Sequence, residues 1–232
     1  MPRTTPPDRL DRLVDVATRV FVEQGYRRTQ MADVADALGV AKGTIYLYVE
    51  SKEALFDLVV RAADAPRPLR LPGSLPLRTP KAGATLRYVR ERLAAGGRLS
   101  TLTTALQRKR TADAGTELRG ICEEIYAVLA RNRHGIQLID RSARDQPDLA
   151  ALWFEGSRGG LVQLLAEYLR RRIDQRALRD VPDVEAAARL IVETLAFWAV
   201  HRHWDSHPQP IRDDVAQATA VSFVVNALGK DA

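Results

Sequence analysis

The sequence is poor in the features that mark several large classes of protein. It has one cysteine in 232 residues, Cys122, so no disulfide can close within the chain and no pair of thiols is present to hold a metal. It has no long hydrophobic run: the most apolar stretch, residues 190–200, falls short of the ~20 residues needed to cross a bilayer and is interrupted by Glu193. The opening MPRTTPPDRLDRL has no apolar core or small-residue cleavage site of a secretory signal. Sustained apolar/polar alternation and hairpin turns are missing, which argues against strands. No nucleophile elbow, metalloprotease helix, phosphate-binding loop or dinucleotide fingerprint occurs, so neither enzymatic activity nor a cofactor is expected. These absences point to a cytoplasmic protein without a membrane partner.

What is present is ordinary for a globular chain: 46% hydrophobic and 28% charged residues, enough to bury a sizeable core. The net charge of +6 is unevenly spread. Residues 1–60 carry −1, residues 61–115 carry +9 and residues 116–232 carry −2. The bulk charge therefore does not locate a nucleic-acid site. The basic stretch, with Arg87, Arg90, Arg92, Arg108, Lys109 and Arg110, reads first as a solvated face. A flank near DNA phosphates and a lining for an anionic ligand are the other readings.

Helical periodicity runs almost throughout. Leu10, Leu13, Val14, Ala17, Val20 and Phe21 recur three and four apart with charges opposite, and Gly25 stands where a left-handed C′ residue would end the helix. Thr29 is the expected N-cap of a second helix. Ser51 is the expected N-cap of a fourth, with Ala54, Leu55, Leu58, Val59 and Ala62 facing inward. Residues 66–80 hold five prolines and read as an extended connector. Beyond it, helices are expected near 82–95, 98–112, 116–133, 146–175, 183–204 and 210–228.

Residues 30–49, QMADVADALGVAKGTIYLYV, carry the most information. Ala35 leaves room where a second helix crosses the first, and Gly39 supplies the turn. Val34, Leu38, Val40 and Ile45 face inward, and Val49 follows them. The helix around 42–48 then presents Lys42, Gly43, Thr44, Tyr46, Leu47 and Tyr48. Lys42 and Lys52 can neutralise phosphates, and Gly43 lets a duplex approach. The Thr44 and Tyr46 hydroxyls can reach phosphate or base edges, and Leu47 can meet a thymine methyl. Gln30 and Thr29 sit where a helix N-terminus favours phosphate, while Arg27 reads as solvated surface.

From Thr29 to Phe56 the sequence resembles the TetR/AcrR family of one-component transcriptional regulators, through Gly-Val, Lys-Gly-Thr-Ile-Tyr and Ser-Lys-Glu-Ala-Leu-Phe in register. The resemblance covers roughly residues 8–62. It implies DNA contact at Thr29, Gln30, Lys42, Gly43, Thr44, Tyr46, Tyr48 and Lys52. Ala41 and Val49 depart from the family's usual Ser/Thr and Phe. Those departures, with the acidic N-terminal unit, keep open a helical small-molecule-binding or adaptor protein that has lost DNA readout. A sequence-indifferent architectural DNA binder is a further alternative.

The implied fold is all-α: an N-terminal three-helix helix-turn-helix DNA-binding domain, residues 6–66, and a larger helical ligand-binding and dimerisation domain, residues 67–232. The implied function is a homodimeric repressor that binds double-stranded DNA at a pseudo-palindromic operator and is released by a small-molecule inducer. The last two helices suit a dimer seam, through Val184, Ala187, Ala188, Ile191, Leu195 and Trp198, and through Ile211, Val215, Ala218, Val221, Val225 and Leu228. Tyr88, Tyr126, Trp153, Phe154 and Trp198 are candidates for a ligand wall, although aromatics at helical spacing are more often core. His201, His203 and His207 resemble metal ligands only superficially. The first two would point to different faces of a helix and have no carboxylate at the needed spacing.

Overall fold

The computed structural model describes residues 7–69 and 74–230, and among them every regular element is helical, with two isolated bridges in place of any sheet. No helix among these residues is long and apolar enough to cross a membrane. The chain divides into two compact units, residues 1–93 with 134–153, and residues 94–133 with 154–232.

The first unit opens with α1 (Pro7–Gln24), whose six predicted core positions are all buried. Gly25 follows with φ 84°, and its N–H donates to Phe21 O, as a C′ residue should. Helices α2 (Met31–Leu38) and α4 (Lys52–Ala62) both pack on α1, with the short α3 (Lys42–Ile45) set against α2. Phe21, Tyr26 and Phe56 form an aromatic cluster at the base of this group. Ser51 caps α4 by accepting from Ala54 N.

Residues 66–69 and 74–80 are non-helical, as five prolines require, but they do more than connect. Arg67 donates to Asp11 and Asp15 of α1. At the other end Leu77 pairs in parallel with Val49. Leu77 N donates to Tyr48 O at 2.8 Å, and Glu50 N donates to Leu77 O at 3.0 Å. The segment is a strap hydrogen-bonded back onto the helical group it leaves.

Helix α5 (Ala84–Gly96) follows. The first unit is completed by a helix that the periodicity misses, α8 (Arg133–Ala143), and by the single turn α9 (Pro147–Ala150). Gly135 near its start makes α8 look like a break in sequence. Its N-terminus is capped from afar: the Asp64 carboxylate, just past the end of α4, accepts from His134 N and Gly135 N at 3.1 and 2.9 Å. A cap 70 residues away in sequence leaves no local trace.

The second unit comprises α6 (Ser100–Gln107), α7 (Ala114–Arg131), α10 (Gly159–Asp174), α11 (Val184–Ala199) and α12 (Asp213–Leu228), with α11 packed on α7, α10 and α12. The expected helix 146–175 is broken: residues 151–158 wind as a π-helix between α9 and α10. The expected helix 183–204 ends at Ala199, and 201–204 forms a separate 3-10 turn. His201 and His203 thus sit in that turn rather than on helix faces, and no group of three or more His, Cys, Asp or Glu among the described residues is placed to hold a metal.

The core of this unit contains an ion pair. Arg172 is fully buried. Its Nε donates to Glu117 at 2.7 Å, its NH2 to Ala105 O at 2.8 Å and its NH1 to Gln175 Oε1 at 3.1 Å. One guanidinium therefore joins α6, α7 and α10. Cys122 is buried on α7, and burial pushes its thiol up to about 12.

Of the expected seam residues, Ala188, Ile191, Leu195, Val221, Val225 and Leu228 are buried within the unit's own core, and Val215 and Ala218 are exposed. The apolar side chains left outside are Leu190 and Phe197 on α11, Val215 and Phe223 on α12, and Leu164 on α10. Apolar residues run all round α12, the pattern of a helix covered on both sides.

Candidate nucleic-acid interface

The surface to be judged is built around the turn between α2 and α3. Gly39 adopts φ 73° and ψ 37°, a left-handed conformation that its missing Cβ makes accessible, and its N–H closes on Asp36 O while Val40 N closes on Ala35 O. This swings α3 across α2 and buries Ile45 completely. Ala41, at the N-cap of α3, offers no side-chain oxygen, so the first turn has no side-chain cap, and Thr44 N donates to Ala41 O.

Lys42 and Gly43 are exposed, Thr44 is half-buried, and Tyr46 and Leu47 are 41% and 65% exposed. These five form one outward face. A Cβ added at Gly43 would meet nothing within 4 Å among the described residues, so none of them requires a glycine there.

Three predicted residues are placed otherwise. Tyr48 is buried. The expected helix over 42–48 gives way after Ile45 to a tighter turn, in which Tyr48 N bonds to Ile45 O. Residues three apart eclipse in such a turn, so Tyr48 shares the inward face of Ile45. Thr29 is also buried, its hydroxyl donating to Gly25 O at 2.7 Å. It does not cap α2; Gln30 takes that position, its N–H donating to the Asp33 carboxylate at 2.7 Å in a capping-box arrangement. Gln30 itself is exposed at the helix start.

Lys52 is half-buried. Its ammonium donates to Tyr26 O at 3.1 Å and Arg27 O at 3.4 Å and lies 4.7 Å from the centre of the Tyr26 ring. It neutralises the carbonyl end of the turn after α1 rather than standing free. Burial and then the Glu53 carboxylate push the Tyr26 phenol up to about 12. Glu53 accepts from that phenol at 3.3 Å.

Four of the five aromatics proposed for a ligand wall have partners of their own. Tyr88 lies under the Arg61 guanidinium at 4.3 Å, and Trp153 donates to Asp140 at 3.0 Å. Tyr126 donates to Trp198 O at 3.2 Å, and the Trp198 ring meets Phe197 edge-on. Phe154 is half-buried at the π-helical turn. Tyr88 and Trp153 belong to the first unit, and Tyr126, Phe154 and Trp198 to the second, so no one unit gathers them. Within the first unit a cleft of about 250 Å3 is lined by other residues, among them Tyr26, Phe56, Leu86, Ile139 and Leu149. Gln146, which sequence reasoning passed over, also lines it and has its Nε2 buried without a hydrogen-bond partner.

The turn, the crossed helices and the outward polar face define a helix-turn-helix protein. Residues 13–59 match the model of bacterial regulatory proteins, tetR family. The chain is 41% identical over 49 residues to the HTH-type transcriptional repressor KstR2 of Rhodococcus jostii, covering 21% of this chain and 24% of that protein. It is 46% identical over 41 residues to the fatty acid metabolism regulator protein of Bacillus subtilis, covering 18% and 21%. The alignments span about a quarter of the length of such relatives. A longer match, 25% identical over 224 residues, covers 95% of this chain and 83% of the HTH-type transcriptional activator FasR of Mycolicibacterium smegmatis. Among solved structures, the ketosteroid transcriptional regulator KstR2 of Mycobacterium tuberculosis aligns over 96% of both chains with a TM-score of 0.53 at 18% identity. The TetR family regulator PfmR of Thermus thermophilus aligns over 99% of both with a TM-score of 0.52 at 22% identity. These two likenesses show the same fold.

Proposed function

We propose that the chain is a homodimeric transcriptional regulator, a repressor in its basal mode, that reads a pseudo-palindromic operator and is released by a small-molecule inducer. The DNA-binding domain is residues 6–66 and the ligand-binding and dimerisation domain is residues 67–232. The observation that carries this reading is the outward face of Lys42, Gly43, Thr44, Tyr46 and Leu47 beside an inward face of Ile45, Tyr48 and Val49. Gly43 sharpens it. A glycine inside a helix costs roughly 0.5–1 kcal/mol relative to alanine, and no contact among the described residues explains its use. A duplex backbone approaching that point does. Lys42 supplies phosphate neutralisation, Thr44 and Tyr46 supply hydrogen bonds, and Leu47 supplies apolar contact to a base edge. Gln30, exposed at the start of α2, is the partner for a flanking phosphate. Thr29, Tyr48 and Lys52, whose side chains are engaged inside the chain, support the shape of the surface rather than touching DNA.

Dimerisation is assigned to the exposed apolar side chains of α11 and α12, Leu190, Phe197, Val215 and Phe223, paired with the same residues of a second copy. Two such dimer-related units would set half-sites about one helical turn apart or somewhat more. The inducer acts through α4, which Asp64 joins to α8 at the end remote from the DNA face. It shifts the equilibrium only by the difference in its affinity for the two states.

The test is fluorescence anisotropy of the full chain against duplex DNA from its own upstream region, beside a shuffled duplex, at about 150 mM salt. Selective binding is expected. The Gly43→Ala variant should then unfold at equal or higher denaturant concentration than the wild type yet bind the selected duplex at least tenfold more weakly. Unchanged DNA affinity in Gly43→Ala, or no selected site from a random-sequence pool, would overturn the reading and leave a helical ligand-binding or adaptor protein.

A further inference from the structure

We infer that the proline-rich strap adds a DNA-phosphate contact, Arg78, at the junction of α3 and α4. The inference rests on the reading of this face as a DNA surface. Four observations lead to it.

The first is charge. Residues 66–80 contain Arg67, Arg70 and Arg78 and no acid, whereas residues 1–60 carry a net charge of −1. The helical group that faces the duplex is thus short of cations, and the segment that follows it is not. The second is placement. The parallel pairing of Leu77 with Val49, held by bonds of 2.8 and 3.0 Å to Tyr48 O and Glu50 N, fixes the strap beside the last residues of the outward turn. Thr79 extends the register: its N–H donates to Glu50 Oε2 at 3.0 Å and its hydroxyl to Ser51 Oγ at 2.8 Å. Arg78 lies between these two anchored residues, held to the turn on either side.

The third observation separates the arginines. Arg67 is spent on Asp11 and Asp15 of α1. Arg78 is exposed and has neither an ion pair nor a side-chain hydrogen bond among the described residues. The fourth is a vacancy in the expected surface. Lys52, one residue past Ser51, is turned onto the Tyr26 and Arg27 carbonyls and the Tyr26 ring. The end of the DNA face therefore lacks the cation that sequence reasoning placed there, and Arg78 stands within a residue or two of it. Glu50 lies in the register, and its Oε2 accepts from Thr79 N. An arginine in this setting matches a phosphodiester by charge and by its paired donors. It contributes affinity without sequence preference, because phosphates carry no base information.

The experiment needs no operator. A pool of random-sequence 30-bp duplexes is titrated with the full chain between 50 and 200 mM salt, comparing wild type, Arg78→Gln and, as a control for the lost charge alone, Arg110→Gln on the second unit. Each phosphate neutralised contributes about 0.9 to the slope of log affinity against log salt. Arg78→Gln should flatten that slope by about this amount. Across the fourfold salt range the wild type should then lose ~3.5-fold more affinity than the variant. Arg110→Gln should leave the slope unchanged, and thermal unfolding of all three should coincide. A wild-type slope in Arg78→Gln, or equal flattening in both variants, overturns the assignment of Arg78. Absence of any wild-type binding to the pool overturns the DNA-binding reading itself.

Discussion

The helix-turn-helix group of the first unit and the core of the second reach a fixed structure by different means. In the first, the core around α1, α2 and α4 is apolar and aromatic, and its shape is set by short-range devices: a left-handed glycine at 39, a serine cap at 51, a capping box at 30–33. Each of these acts within four residues of itself. In the second, the centre is a charged group. Arg172 reaches Glu117, Ala105 O and Gln175 from three different stretches of chain, and its ring neighbour Tyr168 lies 5.4 Å from the guanidinium. Local constraints hold a few side chains at fixed angles, which suits the proposed DNA-reading face. Long-range pairs such as Arg172 with Glu117 couple the geometry of several helices at once.

The largest expected effect tests the charged centre. Arg172→Met leaves the Glu117 carboxylate, 6% exposed, without its main partner. An orphaned buried charge of this kind costs about 3–5 kcal/mol. Replacing both residues, Arg172→Met with Glu117→Leu, should restore most of the loss, since a well-packed apolar pair is often as stable as the ion pair it replaces. Urea unfolding followed by circular dichroism measures both. If the single and double variants are equally unstable, the hydrogen bonds to Ala105 O and Gln175 hold the unit together rather than the charge pair.

A smaller effect tests the local devices. Gly39→Ala adds a methyl group that meets nothing within 4 Å, so its whole cost is the backbone at φ 73°. That cost is about 1–2 kcal/mol for an L-residue in this region, and Gly39→Asn, which tolerates the conformation better, should lose less. A Gly39→Ala variant as stable as wild type would mean that the turn relaxes without penalty and that the glycine does not set the angle of α3.

This contrast also explains what could be read from sequence. The α1 and α4 faces, Gly25, Gly39 and Ser51 were legible because each signal and its consequence lie within one or two turns of helix. Helix α8 was not, because its cap is Asp64, and the π-helical stretch at 151–158 was not, because no residue pattern there departs from an ordinary helix. In the candidate site the outward positions of Lys42, Tyr46 and Leu47 were legible from periodicity. Tyr48 was misplaced because the helix tightens by one hydrogen-bond step after Ile45, and Lys52 because its partners are carbonyls 25 and 26 residues earlier. The strap was read as a connector. Its prolines exclude a helix, but nothing in them announces pairing with Val49.

The smallest expected effect joins the two regimes, a cap in the second unit supplied by a distant residue and dependent on pH. Helix α6 starts without a capping side chain of its own, since Leu99 stands at its N-cap. Glu124 of α7 does the work instead, accepting from Thr101 N at 2.9 Å, from Leu102 N at 3.4 Å and from the Ser100 hydroxyl at 2.7 Å. Burial by itself would raise the Glu124 carboxyl, but these donors outweigh it and hold the group below the ordinary carboxylate range. A group whose folded-state pKa is depressed adds stability above its unfolded value of about 4.3 and loses it as the pH falls through the folded value. Glu124→Gln keeps an acceptor oxygen and the shape, so at pH 7 it should cost about 1 kcal/mol or less. The gap between the variant and the wild type should narrow as the pH falls from 5 toward 3, because protonation makes the wild-type side chain neutral as well. A gap that stays constant over that range would show that α6 is held by the geometry of the cap and not by its charge.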